Sequence, residues 1–473
     1  MNRLITLTIV LLATLTFTAC IEDDISSSAA DQPTFSVDTL SMGRVFTGEG
    51  TPTYSFRVYN RHDKVISISD ISFADADQTY FRINVDGRSG TRFSNVEIRP
   101  NDSIFVFVDA NIPADNSTLP IDIEQKLNFV TQGVTSSVVI TATGQNVTRL
   151  RGKVIERDTV WADLIPHQIF DSLVIAPGAT LTIGPGCRLY FHDGSELRVR
   201  GTLITQGTAE KPVSMGGDRT GYVAANIPYE IMSRQWQGVY FYPTSHANSL
   251  AYTTIENTWT GVTLDSLSAG NPGIPAIEMI NCRLRNSAGT ALSAHFSSIS
   301  ATGCEFAEGG QGVVSLTGGN NYLSYCTISN NYLFSFMGGA MLQLHHLNSD
   351  DSQSSSEPYM RAYVTNTIIY GSGAPLSVND LTDTQVWLKR CLLGVTGEDD
   401  EHFISMLWDT DPMWYTDRSI YRFDYRLRPD SPALGASYKA LTPPQALPLP
   451  STDFYGDIHP DPAAIGAMEA KPE

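Results

Sequence analysis

The chain reads as an all-β protein, and three observations carry that expectation. From Leu173 to Met215 short apolar runs follow one another, each closed by Gly, Pro or Asp, with no helical period between them. From Pro33 to about Val147 apolar and polar residues alternate in runs separated by turns. In the second half of the chain a small residue and a large apolar one, two apart, recur at steps of about 22 residues, within the range expected of a stacked repeat.

Met1 to Cys20 begins with Arg3 and continues as an apolar run from Leu4 to Phe17. The run is too short to span a bilayer and reads as a signal peptide, outside the fold. Its end, Phe17-Thr18-Ala19-Cys20, resembles a bacterial lipobox. The resemblance implies acylation of Cys20, which then becomes the first residue and anchors the protein in the outer membrane. Ile21-Glu22-Asp23-Asp24 resembles the export tag of surface lipoproteins, which implies display on the cell surface. Residues 21–32, Ser- and Ala-rich from Ser26 to Asp31, are expected to be a flexible tether.

The region 33–148 alternates in Tyr54–Tyr59, Val65–Ile68, Ser103–Val108 and Ser137–Ile140, with turns at Asn60 and Pro100-Asn101-Asp102. Alternation buries one face and wets the other, so two sheets packed face to face are expected. Through Phe81–Gly87 the region resembles the immunoglobulin-like module that precedes the β-helix in Bacteroidota-type surface lipoproteins. It contains no His/Asp/Cys cluster and is expected to act as a spacer or docking module.

Leu173–Ile175, Thr180–Ile183, Arg188–Phe191, Leu197–Arg200 and Leu203–Thr205 are strand-like runs too short to bury an apolar face alone. They must stack on further copies of themselves, which predicts a solenoid over 149–424. Ile183-Gly184-Pro185-Gly186, Gly201-Thr202-Leu203, the run Gly207–Pro212 and Trp236-Gln237-Gly238-Val239 resemble the opening coils of right-handed parallel β-helices of the pectin-lyase-like class. Farther on, Thr253/Ile255, Cys282/Leu284, Cys304/Phe306, Cys326/Ile328, Thr367/Ile369 and Cys391/Leu393 align as one inward-pointing pair per coil. Thr in the place of Cys suits buried free thiols packed in a column; a disulfide or a metal site is the alternative. Asn257, Asn286 and Asn330, each two past the apolar residue, are expected in left-handed turns with their amides bonded from coil to coil. Ser349 to Pro358 is a polar insertion, expected as a surface loop.

From 425 to 473, Tyr425–Leu434, Asp453–Gly456 and Ile465–Glu469 resemble the closing segment of the same proteins, which covers the open end of the solenoid. His459 and Ala464 stand where the family has Arg and Asp, so one ion pair is expected to be missing.

The formal charge of −19, with no Lys/Arg cluster against it, argues against a nucleic-acid partner. The β-helix resemblance brings polysaccharide lyases and hydrolases into consideration. A lyase needs carboxylates for Ca²⁺ and a base; a hydrolase needs two carboxylates a few ångströms apart. The polygalacturonase motifs Asn-Thr-Asp, Gly-His-Gly and Arg-Ile-Lys are missing. Asp350-Asp351 and Asp399-Asp400-Glu401 fall in loop-like sequence and are expected to be solvated. His345-His346 with Asp350, and His402 with Asp409 and Asp411, offer only weak metal-like spacing. No catalytic residue, cofactor or metal ligand is assigned. Trp259, Tyr240, Phe241 and Tyr242 could stack on sugar rings, with packing as the alternative. Five triplets beginning at Asp38, Asp102, Asp158, Asp171 and Asp265 resemble an O-glycosylation sequon, or are turn Asp residues before strands.

The expected function is a non-catalytic surface lipoprotein presenting its β-helix to a glycan or host polymer. The alternatives are a polysaccharide lyase or glycoside hydrolase and a structural envelope protein. Three carboxylates with an Arg or Lys on one lateral face would favour the enzyme. A face of Ser, Thr and Asn with isolated aromatics would favour binding or a structural role.

Overall fold

A computed structural model describes residues 24–75, 80–115, 117–162, 164–224, 227–265, 275–345, 360–378, 381 and 384–471. The signal-like run with Cys20, the insertion Ser349–Pro358 and the pair His346/Asp350 lie outside the described residues. The chain forms two compact units, Met1–Asn146 and Val147–Glu473, and both are built of strands.

In the first unit two sheets share one core. One sheet holds Thr34–Phe35, Tyr54–Tyr59, Ser103–Ala110, Phe81–Val85 and Arg88–Gly90. The other holds Thr39–Phe46, Val134–Gln145, Ile121–Thr131, Ile66–Phe73 and Arg92–Phe93. Phe56, Val58, Val106 and Val108 from the first sheet meet Met42, Ile68, Leu127, Phe129 and Ile140 from the second. The period-2 rule explains Ser103–Val108: Val106 and Val108 are buried, which turns Phe105 and Phe107 outward, where their rings stack at 5.7 Å. The expected tether is docked from Asp24 onward. Ser26 donates its amide to Val65 O at 2.8 Å, Gln132 Nε2 donates to Ser26 O at 2.8 Å, and Lys64 Nζ lies 2.6 Å from Asp24. A Ser-rich composition signals flexibility only while its backbone groups find no partner, and here the Val65 edge supplies one.

The second unit is a succession of parallel coils, consistent with a β-helix. Among the described residues one sheet has ten strands and the other eighteen, and a typical coil gives one strand to the first and two to the second. Thr180–Ile183 and Arg188–Phe191 are strands at the boundaries expected from sequence. The aligned pairs also hold register: Ile255 opposes Leu284, then Phe306, Ile328, Ile369 and Leu393 follow in turn. Parallel pairing carries the same parity from coil to coil, so every member of the column points into the core.

Cys282, Cys304, Cys326 and Cys391 are buried free thiols, and Thr253 and Thr367 occupy the same column. Each follows a corner residue with positive φ: Tyr252, Asn281, Gly303, Tyr325, Asn366 and Arg390. At that corner the side chain donates back to the carbonyl two residues earlier. Thr253 and Thr367 reach Ala251 O and Thr365 O at 2.9 Å. Cys282, Cys304, Cys326 and Cys391 reach Ile280 O, Thr302 O, Ser324 O and Lys389 O at 3.3–3.5 Å. Cys and Thr alternate because both are small, tolerate burial and carry a donor.

The Asn column departs from expectation. Asn257 and Asn286 have φ of 66° and 55°, but Asn330 does not join them. Their amides bond not to each other but to one loop: Asn257 Nδ2 donates to Glu230 O and Met232 O, and Asn286 Nδ2 to Glu230 O. A loop that folds over the column supplies stronger acceptors than a neighbouring amide side chain held at coil spacing.

The C-terminal segment runs along the flank of the coils. Asn281 Nδ2 donates to Thr452 O at 2.8 Å, Thr302 Oγ1 to Leu447 O at 3.0 Å, and the Ala467 amide to Thr327 Oγ1 at 3.0 Å. Gly466 is required there, since a Cβ would lie 2.7 Å from Ile368 Cδ1 and φ is 104°. A hydrogen-bonded contact stands where that ion pair is missing. His459 Nδ1 lies 2.7 Å from Glu469 Oε1, and the same oxygen accepts the Ala464 amide at 3.0 Å.

Candidate functional site

Each lateral face of the coils follows from strand parity. In the series Gly238–Phe241, Val262–Asp265, Leu292–His295, Val314–Thr317 and Leu342–His345, the buried apolar side chains are Val239, Phe241, Val262, Leu264, Leu292, Ala294, Val314, Leu316, Leu342 and Leu344. Their neighbours point outward in register: Tyr240, Thr263, Ser293, Ser315 and Gln343 form one row, and Asp265, His295, Thr317 and His345 the next. This is a polar face of hydroxyl, amide and imidazole groups repeated at coil spacing, about 4.8 Å.

At its start Tyr240 and Tyr242 meet edge to face, with centroids 4.6 Å apart. The Tyr240 hydroxyl donates to Asp265 Oδ2 at 2.9 Å. Burial, then the Asp265 carboxylate, push the Tyr240 phenol up to about 12, so it stays a donor at any physiological pH. The Arg200 guanidinium sits 4.6 Å from the Tyr242 centroid. Trp259 does not join the pair: it lies 42 % exposed at the corner after Thr253–Glu256, with the Arg234 guanidinium 5.0 Å from its ring. Phe241 is buried and unavailable to any ligand.

A second face, built on Thr253–Glu256, Arg283–Ser287 and Glu305–Gly309, was not legible as a cluster in the sequence. Glu256 opposes Arg285, and Arg283 opposes Glu305. Arg285 donates through Nε to Glu305 Oε1 at 2.8 Å and again through a second nitrogen. Arg283 Nε lies 3.4 Å from Glu305 Oε2. Glu308 stands in the Asn column, at φ 51°, and accepts the hydroxyl of Tyr425 from the C-terminal segment. Burial, only partly opposed by Arg285, raises the Glu308 carboxyl to about 7 and also raises Glu256. The count of carboxylates expected of an enzyme is met. Their availability is not: Glu305 and Glu308 are buried, Arg283 and Arg285 are spent on Glu305, and Tyr425, Phe454 and Tyr455 cover the row.

On the third face Tyr322, Tyr363 and Trp387 oppose one another in successive coils and stack at 5.7 and 4.8 Å. Their ring faces are turned to each other, and Lys389 covers Tyr363 and Trp387, so they stabilise the sheet rather than offer a platform for sugar.

Asp399-Asp400-Glu401 is exposed, as expected, while Asp350-Asp351 lies outside the described residues. Asp399 accepts from the amides of Ser405 and Met406 and from Trp408 Nε1, and Asp400 from the amides of His402 and Phe403. Both carboxylates, though exposed, hold a turn together. His402 Nδ1 is 2.7 Å from Val386 O, and Asp411 accepts the Met413 amide. Among the described residues no group of three or more His, Cys, Asp or Glu could hold a metal ion. Asp38, Asp102 and Asp158 precede strands, whereas Asp171 is a positive-φ residue within His167–Ile175 and Asp265 ends its strand.

No family model matches the chain, and no curated protein matches it. Among solved structures it is similar to a protein of unknown function from Porphyromonas gingivalis W83, at 12 % identity and TM-score 0.18, over 27 % of this chain and 50 % of that one. A family 123 glycoside hydrolase from Clostridium perfringens follows at 10 % identity and TM-score 0.18, over 26 % of each chain. The VesB protease of Vibrio cholerae follows at 11 % and 0.17, over 24 % of this chain and 32 % of that one. The chain spans half or less of each, and likenesses this slight carry no functional argument.

Proposed function

We propose that this chain is a non-catalytic cell-surface lipoprotein, anchored through Cys20 in the outer membrane. In this reading an Ig-like module leads into a right-handed parallel β-helix whose polar face binds a glycan or host polymer. The observation that carries it is the row Tyr240, Thr263, Ser293, Ser315 and Gln343, one polar side chain per coil with a tyrosine pair at its head. An extended polymer laid along the coils would meet a donor or acceptor at each step, and Tyr242 and Trp259 would supply the apolar contact. The polysaccharide lyase or hydrolase reading is favoured by the Glu256, Glu305, Glu308, Arg283 and Arg285 row, but that row is ion-paired and covered.

The test is a glycan array probed with residues 21–473, followed by Tyr242→Ala and Ser293→Arg variants against any hit. Binding lost in both variants supports the polar face. Binding that survives both moves the site elsewhere, and no binding to any glycan favours a structural envelope role.

A further inference from the structure

The C-terminal segment, with the turn before it, brings three cations of this acidic chain to one place. Trp414 bridges Leu427 in antiparallel fashion, Asp417 bridges Arg422, and Leu427 bridges Ala470 in parallel. The Arg428 amide donates to Met413 O at 2.8 Å and the Lys471 amide to Leu427 O at 3.2 Å. Alternation along Arg422–Arg428 buries Tyr425 and Leu427, and the arginines project from the opposite side.

The result is three cations around one ring. The Arg422 guanidinium lies 5.6 Å from the Tyr415 centroid, that of Arg428 5.5 Å, and Lys471 Nζ 5.4 Å. The neighbouring acids have closer partners, although Asp417 also feels the charge of Arg422 and Asp424 that of Lys471. Asp424 takes Arg426 through two bonds of 2.9 and 2.7 Å, and Asp417 accepts the amide and hydroxyl of Ser419. Among the described residues Arg422, Arg428 and Lys471 form no ion pair. Each cation is attracted to the face of the ring, while the three repel one another. In a chain of charge −19, three cations converging on a half-buried tyrosine, none within ion-pair distance of a described carboxylate, are a local excess of positive charge.

We propose that Tyr415, Arg422, Arg428 and Lys471 form a binding site for the acid groups of an anionic glycan. Guanidinium forks match the planar geometry of carboxylate and sulfate, the ammonium adds a point charge, and the ring fixes all three at one place. The remaining acidic surface repels such a polymer at long range, so the attraction acts within about 8 Å at physiological salt. This inference rests on the polymer-binding reading and names its ligand class.

Isothermal titration of residues 21–473 at 150 mM NaCl against polygalacturonate, dextran sulfate and uncharged dextran tests it. The parent is expected to bind at least one acidic polymer and not uncharged dextran. The Arg428→Gln/Lys471→Gln variant should bind at least tenfold more weakly at an unchanged melting temperature. Arg422→Gln, an exposed single change, should lose several-fold and serves if the double variant does not fold. The two acidic polymers distinguish carboxylate from sulfate. A parent that binds neither, or variants that bind as the parent does, overturn the proposal. If a neutral glycan binds and only Tyr242→Ala abolishes it, this site falls while the polymer-binding reading stands. If nothing binds, both fall.

Discussion

The Tyr425 hydroxyl donates to the carboxylate of Glu308, tying the C-terminal segment to the corner of a coil more than a hundred residues earlier. Glu308 occupies a left-handed position that two preceding coils fill with Asn, and its second oxygen has no hydrogen-bond partner. A buried carboxyl with one free oxygen holds its proton more firmly than an exposed one.

The first prediction concerns pH. The Glu308 carboxyl rises from the ordinary 4.5 to about 7 in the folded chain, chiefly through burial. Its contribution to stability is therefore full below about 4.5 and is lost as pH rises through about 7. Glu308→Gln keeps the acceptor and removes the proton, so it should gain on the parent across that window by on the order of 3 kcal/mol, at about 1.4 per tenfold in proton affinity. Parallel denaturant melts of parent and variant at pH 5 and 8 measure the difference. An equal offset at both would dissociate Glu308 from the effect.

The second concerns the corner column. Cys304 is fully buried and donates to Thr302 O, as Thr253 and Thr367 donate at their own corners. Cys304→Thr should cost less than about 1.5 kcal/mol, because size and donor are kept. Cys304→Asp places an unpaired charge in a dry stack and should cost about 3 kcal/mol or more. Urea midpoints for both variants decide this, and equal midpoints would contradict the role given to the donor.

The third concerns anchoring. Acylation of Cys20 predicts that Cys20→Ala moves the protein from the detergent-extractable membrane fraction to the soluble one. Retention of the variant in the membrane would refute the lipoprotein reading.

The fourth concerns chemistry. The carboxylates that could serve a lyase are paired with arginine or buried beneath Tyr425 and Tyr455, and catalysis needs open, fixed groups. No unsaturated product should form from polygalacturonate, with or without Ca²⁺. Growth of ultraviolet absorbance that a chelator abolishes would promote the enzyme reading.

Sequence by itself determined the strand class, the register of the Cys/Thr column and the burial of its thiols. Period-2 parity is local, and parallel pairing copies it from Ile255 through Leu393 without knowledge of any other part of the molecule. Tertiary structure alone decided what the outward side chains meet. Neither the docking of Ser26 on Val65, nor Glu308 beneath Tyr425, nor the ring of Arg422, Arg428 and Lys471 about Tyr415 has a local pattern. A side chain that faces outward is indifferent to strand formation, so its partner is chosen by whichever distant segment folds across it.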